Sequence, residues 1–263
     1  MENMTFHSPV FGPIHSRRLG SSLGINLMPA TRKVCNFNCV YCECGWNPEP
    51  GAGQPDLKDL IPSPEDISLA LKEKLELLGR ENKLPDVITF SGNGEPTLHK
   101  DFLKIMQDTV AIRNALSPGS QVCVLSNSGT LQISGVFQGL MLADQRIMKI
   151  DSAIEETLRK INQPGKQYSL RRTVEALKRF KGDFTLQTLF FSGTIDGAVV
   201  DNTTEKELEA WYALLDELGP KEVMVYTLDR PTPLGGLKKC SVQKLQAIAG
   251  EVEKKGIKTV VAG

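Results

Sequence analysis

A net charge is the first thing this chain lacks: 31 Lys and Arg balance 31 Asp and Glu over 263 residues. That balance removes the general electrostatic case for nucleic acid or an anionic membrane and leaves only local patches for such partners. Long apolar runs are missing as well. The longest uncharged stretch, residues 114–143, is broken by Ser, Gly, Gln and Asn and falls short of the ~18 apolar residues of a membrane span. The opening Met-Glu-Asn-Met-Thr-Phe-His-Ser-Pro has neither the basic nor the apolar region of a signal peptide. A soluble, cytoplasmic protein with no membrane partner is expected. No repeat, composition shift or low-complexity linker divides the chain, which is 40% hydrophobic and 24% charged, an ordinary globular composition.

From Ile61 onward, helical and strand periodicities alternate. Ser63-Pro64-Glu65-Asp66 supplies an N-cap, a proline at the first helical position and acids in the first turn, and Ile67, Leu71, Leu75 and Leu78 then share one face. Strands are predicted at 86–91, 121–126, 146–151, 184–191, 221–228 and 257–261, each β-branched or aromatic and most ending in Gly or polar residues. Helices are predicted over about 99–116, weakly over 131–142, and on the faces of Leu170–Phe180, Leu208–Leu218 and Val242–Val252. Such alternation implies a parallel sheet with crossover helices: an α/β fold, a partial (β/α)6 TIM-like barrel in a single domain, 1–263. The first 60 residues, rich in Gly and Pro, read as mostly loop, with 23–28 the one strand expected there. Loops that long are usually functional.

Six cysteines occupy positions 35, 39, 42, 44, 123 and 240. Four within ten residues read, in a reducing compartment, as a metal site and not as a disulfide framework. Cys35, Cys39 and Cys42 form C-x3-C-x2-C. Three thiolates can hold three irons of a cubane cluster and leave the fourth open to a small ligand. The alternative is structural zinc closed by Cys44, although the spacing is tighter than that of the usual zinc knuckles. His7, His15 and His99 are too dispersed to form a metal site.

With an aromatic residue, Tyr41, just before the third cysteine, this loop resembles the signature of the radical S-adenosylmethionine (radical SAM) enzymes. The resemblance extends to Gly94-Glu95-Pro96, where Asn93 replaces the first glycine of the family's Gly-Gly-Glu motif, and to the strand ends at Ser126-Asn127 and Lys149-Ile150-Asp151. It is strongest with a branch of short proteins related to wyosine-synthesis enzymes, through Phe11-Gly12-Pro13, Ser16-Arg17-Arg18-Leu19-Gly20 and Asp229-Arg230-Pro231. The resemblance implies a [4Fe-4S] cluster on Cys35, Cys39 and Cys42 and S-adenosylmethionine on its open iron. It further implies that Gly94 and Glu95 hold the methionine amine, and that Ser126, Asn127 and Asp151 meet ribose or carboxylate. The resemblance also implies that Tyr41 contributes near adenine through its backbone, while its ring suits a core position equally well. For Ser126, Asn127 and Asp151, helix capping explains the residue types equally well.

The implied function is reductive cleavage of S-adenosylmethionine to a 5′-deoxyadenosyl radical that abstracts hydrogen from a substrate, with flavodoxin or ferredoxin as electron donor. Arg17, Arg18 and Arg230 are candidates for anchoring an anionic group or for bracing loops by ion pairs, and Lys149 is either a base or a lysine salt-bridged to Asp151. His15 joins them as a weak site candidate. A small-molecule substrate is favoured over RNA, because Glu175 and Asp183 lie among the basic residues 171–181. A glycyl-radical activase, a tRNA-modifying enzyme and a non-enzymatic, zinc-stabilised binding module are the alternatives.

Overall fold

The computed structural model describes residues 6–16, 19–49 and 61–263, so Arg17 and Arg18 lie outside the described residues. The chain forms two compact units. One comprises Met1–Cys35, Asn47–Ser126 and Gln132–Arg146; the other comprises Asn36–Trp46, Asn127–Leu131 and Ile147–Gly263.

In the first unit, β1 (Val10–Ser16) pairs antiparallel with β2 (Gly20–Ile25). Parallel partners follow: β2 on β3 (Val87–Phe90) and β3 on β4 (Gln121–Ser126). The crossovers are α1 (Pro64–Arg80) and α2 (Phe102–Leu116), and α3 (Ser134–Met141) follows β4. Helix α1 starts where its sequence signals place it. The Ser63 hydroxyl accepts from Asp66 N–H and the Asp66 carboxylate accepts from Ser63 N–H, each at 3.1 Å, a reciprocal cap. Ile67, Leu71, Leu75 and Leu78 are buried, as their spacing requires.

The second unit carries most of β5 (Gln145–Lys149), then α4 (Glu155–Asn162), α5 (Leu170–Lys178), β6 (Thr185–Leu189), β7 (Phe191–Ile195), β8 (Ala198–Asp201), α6 (Glu205–Leu218), β9 (Glu222–Tyr226), β10 (Lys238–Lys239), α7 (Val242–Glu253) and β11 (Lys258–Ala262). Strands β5, β6, β9 and β11 pair in that order, all parallel. A separate three-stranded antiparallel sheet has the order β10-β7-β8. Trp211 of α6 is buried edge-on against Phe190 and donates its indole N–H to Thr188 Oγ1 at 3.0 Å. That satisfies the one polar atom of the largest buried side chain.

Four sequence expectations are corrected. Strand β1 was not anticipated, because Gly12 and Pro13 interrupt it; a register shift between Phe11 and Ile14 accommodates them, and the strand pairs on one side only, where a missing N–H is tolerated. The expected strand 184–191 is two, because the chain leaves β6 at Leu189 and turns into the β7–β8 hairpin through Asp196 and Gly197, both at positive φ. His99 does not begin a helix: Pro96–Leu98 is a single 3-10 turn and α2 starts at Phe102. Cys240, expected at the surface, is buried.

Candidate functional site

The cysteine segment leaves the first unit after Cys35 and continues in the second, which takes up Asn36–Trp46. Each part is moored within its own unit.

In the first unit, Val34 runs alongside the loop that follows β3. Val34 N–H donates to Asn93 O at 2.9 Å and Glu95 N–H to Val34 O at 3.1 Å, a parallel bridge of Val34 with Gly94. Gly94 is at φ +148°, and a Cβ there would lie 1.8 Å from Val34 O, so glycine is required for the two segments to approach. Cys35 itself is gripped by Asn47, whose amide exchanges two 3.1 Å bonds with the Cys35 N–H and C=O. Sequence reasoning missed Asn47, because an asparagine twelve residues downstream gives no local signal.

Glu95 and Ser126 are both buried. Glu95 Oε1 accepts from Ser126 Oγ at 2.9 Å, from Thr97 N–H at 3.2 Å and from the Thr97 hydroxyl, so it also caps the 3-10 turn. Asn93, where the motif it resembles has glycine, is fully buried. Its side chain accepts from Phe6 N–H and donates to Phe6 O and Pro29 O, each at 2.8 Å. The departure from glycine therefore ties two upstream segments to the loop after β3.

In the second unit, the last carbonyls of α4 receive the cysteine loop. Asn38 N–H donates to Asn162 O and Val40 N–H to Ile161 O, both at 3.0 Å, which uses acceptors a helix end leaves unpaired. Cys42 N–H returns to Cys39 O at 3.1 Å and Gly45 N–H to Cys42 O at 2.8 Å, curling the loop. Asn127 Nδ2 donates to Asn36 Oδ1 at 2.7 Å while its Oδ1 accepts from Gly129 N–H at 2.9 Å. The asparagine expected near ribose thus also holds the start of this loop.

Asp151 is the centre of a buried polar network. Its Oδ1 accepts from Leu189 N–H at 2.9 Å and pairs with Lys149 Nζ at 3.2 Å; its Oδ2 accepts from Asn162 Nδ2 at 2.6 Å and from the Tyr41 hydroxyl. Four donors satisfy a carboxylate that burial would otherwise penalise heavily. Tyr41 packs its ring edge-on against Phe191. Burial, then the neighbouring Asp151 charge, holds its hydroxyl well above the usual tyrosine range, so it stays protonated and donating. Lys149 donates to the Tyr226 hydroxyl and lies over the rings of Tyr41 and Tyr226, 4.9 and 4.7 Å from their centres. Burial opposes its charge, but Asp151 and Tyr226 outweigh burial and hold it above the ordinary lysine range. Lys149 is held in the salt bridge with Asp151, one of the two readings its sequence position allows.

The remaining candidates lie elsewhere. Arg230 pairs with Glu43 of the cysteine loop at 2.6 Å, both half-exposed. His15 is exposed on β1 opposite Ser21. Arg171 and Lys178 are each paired with both Glu175 and Glu217. Among the described residues no helix is long and apolar enough to cross a membrane.

The donor set bears on which metal group it suits. Cys35, Cys39, Cys42 and Cys44 are all half-buried thiols. Among the described residues, no three His, Cys, Asp or Glu are gathered in a way that holds a metal ion. An iron-sulfur cubane takes its thiolates one per iron, and three half-buried thiols on a loop moored at Cys35, Asn36, Asn38 and Val40 are a donor set of that kind.

The radical SAM superfamily model matches residues 31–215, and the chain belongs to that superfamily. That membership weighs against the zinc-stabilised binding module. Among relatives, it is 33% identical to a UPF0026 protein of Synechocystis over 88% of this chain and 79% of that one. It is 30% identical to a Brachyspira hyodysenteriae protein named GTPase Obg, over 85% of this chain but 30% of that protein, so the chain spans less than a third of that relative. Among solved structures, a radical SAM methyltransferase from Sphaerobacter thermophilus superposes with a TM-score of 0.63 at 13% identity, covering 91% of this chain and 65% of that one. Streptococcus suis SuiB bound to S-adenosylmethionine gives 0.61 at 12% identity, covering 91% and 50%. The fold is thus the α/β partial barrel of radical SAM proteins, as the alternation of elements implies.

Proposed function

We propose that this chain is a radical SAM enzyme in which Cys35, Cys39 and Cys42 ligate a [4Fe-4S] cluster and the segment Gly94–Glu95, with Ser126, Asn127 and Asp151, forms the S-adenosylmethionine site. The cluster would supply one electron for cleaving the sulfonium and generating a 5′-deoxyadenosyl radical. The protein's own part is positioning. Glu95 offers a buried carboxylate to an ammonium group, oriented through Oε1 by Ser126 and Thr97. Asp151 orients Tyr41, Asn162 and Lys149 around the loop, and Lys149 holds a fixed positive charge near the end of β5.

One observation carries this reading: the backbone bridge of Val34 to Gly94 sets the residue before the first cysteine against the loop that bears Glu95. Superfamily membership and the likeness to S-adenosylmethionine-bound SuiB support the cofactor. Neutralisation of Arg171 and Lys178 by acids supports a small molecule over RNA. An external flavodoxin or ferredoxin is the proposed reductant. The test is cleavage of S-adenosylmethionine under anaerobic reduction. 5′-Deoxyadenosine is expected from the wild type and is lost on changing any of Cys35, Cys39 or Cys42 to alanine; a cysteine variant with full turnover refutes the assignment.

A further inference from the structure

Within the second unit, Asn162 closes α4 and lies 3% exposed. Its side-chain nitrogen is 2.6 Å from Asp151 Oδ2, 2.8 Å from the Tyr41 hydroxyl and 3.4 Å from Cys39 Sγ. An amide can be built with oxygen and nitrogen exchanged, and only its surroundings decide between the two. Here the carboxylate decides, because a carbonyl oxygen turned toward Asp151 Oδ2 would set two acceptors against each other in a buried place. Tyr41 donates its hydroxyl hydrogen to that same Oδ2, so the phenol oxygen and the carboxylate oxygen form one acceptor pair that a single amide hydrogen can serve. The second amide hydrogen is left for the sulfur of Cys39.

We propose that Asn162 is a positioning residue whose side-chain N–H, locked by Asp151, donates to the Cys39 thiolate and raises the reduction potential of the cluster that this thiolate ligates. The proposal rests on the functional reading above. A hydrogen bond to a ligand sulfur stabilises the form with more negative charge on the cluster, which is the reduced one. The surroundings make the bond effective: Asn162, Asp151 and Tyr41 are all buried, and a bond made to an ionised acceptor in low dielectric is stronger than its counterpart in water. Backbone fixes the distance as well, since Asn162 O accepts from Asn38 N–H, one residue before Cys39. The donor and the sulfur are therefore tied at both ends.

The experiment uses the full chain with its cluster reconstituted anaerobically, in the wild type, Asn162→Ala and Thr188→Val. The last removes a buried hydroxyl of the same unit that bonds Ile150 O and Trp211. Iron and sulfide are counted first, and the potential is then read by EPR-monitored titration. The expected result is a lower potential in Asn162→Ala, up to about tenfold in the reduced-to-oxidised ratio at fixed applied potential, or about 59 mV for one electron. Thr188→Val should lose stability at an unchanged potential. If Asn162→Ala keeps its cluster at the wild-type potential, or both variants shift alike, the proposal is overturned. Should Asn162→Ala fail to fold, wild-type protein carrying asparagine with a 15N side-chain amide decides. A 15N hyperfine coupling to the reduced cluster is expected, and its absence overturns the proposal. A wild type that assembles no cluster overturns the functional reading instead, and the proposal with it.

Discussion

Replacing Gly94 by alanine probes the contact between the cysteine segment and the loop after β3. At φ +148° an alanine leaves the backbone region open to L side chains, and its Cβ would sit 1.8 Å from Val34 O, which is backbone and not a side chain free to turn away. Holding a non-glycine residue in such a conformation costs about 1–3 kcal/mol. Relieving the clash by moving Val34 breaks the bonds from Val34 N–H to Asn93 O and from Glu95 N–H to Val34 O, worth about 0.5–1.5 kcal/mol each. The total is roughly 2–6 kcal/mol, a large part of a typical folding free energy, and lowers Tm by roughly 5–20 °C for a chain of this size. Gly135 is the control: it lies in α3 with nothing within 4 Å of a built Cβ, so Gly135→Ala should be neutral or stabilise by up to about 1 kcal/mol. Thermal denaturation of the two apo variants, followed by iron counting after reconstitution, reads the difference. Equal Tm and equal iron retention in Gly94→Ala and Gly135→Ala would refute the contact.

Asn93→Gly restores the residue of the motif it resembles but removes a side chain that makes three 2.8 Å bonds, two part-buried to Phe6 and one buried to Pro29. A loss of about 1–3 kcal/mol is expected in urea denaturation, together with faster amide exchange of Phe6; unchanged exchange there argues against the clamp. His99 is buried, accepts from Asp101 N–H through Nδ1 and faces Pro62 O through Nε2. Burial lowers its pKa against the opposing effect of the Pro62 carbonyl. The folded state thus binds fewer protons than the unfolded one, so this contribution is complete above the unfolded histidine range and is lost as pH falls through the depressed folded value. Stability measured from pH 7.5 down to 5, about the unfolded histidine pKa of 6.5, should therefore fall more in the wild type than in His99→Gln, and parallel curves contradict it. Arg230→Ala breaks a half-exposed ion pair with Glu43 and should cost under about 1 kcal/mol. A much larger loss would assign it a structural role the exposed pair does not explain.

The parts of the fold legible in the sequence are those set by local chemistry. The Ser63 cap, the apolar face of α1 and the strand Gln121–Ser126 all stand where their patterns place them. The β7–β8 hairpin and β1 were not legible, since one follows a continuous apolar run without a break and the other is interrupted by Gly-Pro yet completed by a partner strand. The site divides in the same way. Cysteine spacing and the Gly-Glu-Pro motif mark it in the sequence, but the residues that moor it, Asn47, Asn93 and Asn162, are single asparagines acting over 12, 87 and 123 positions. No local pattern encodes such partners. For Asp151 the residue type was read, while its four donors come from β5, β6, the cysteine loop and α4 and exist only in the folded chain.

Anaerobic reconstitution with iron and sulfide, followed by S-adenosylmethionine and dithionite and detection of 5′-deoxyadenosine by mass spectrometry, bears on the whole reading at once. A brown protein that releases 5′-deoxyadenosine only when Cys35, Cys39 and Cys42 are all intact is the expected outcome. A colourless protein that takes up zinc in place of iron and leaves S-adenosylmethionine untouched would show that the three thiols serve another purpose.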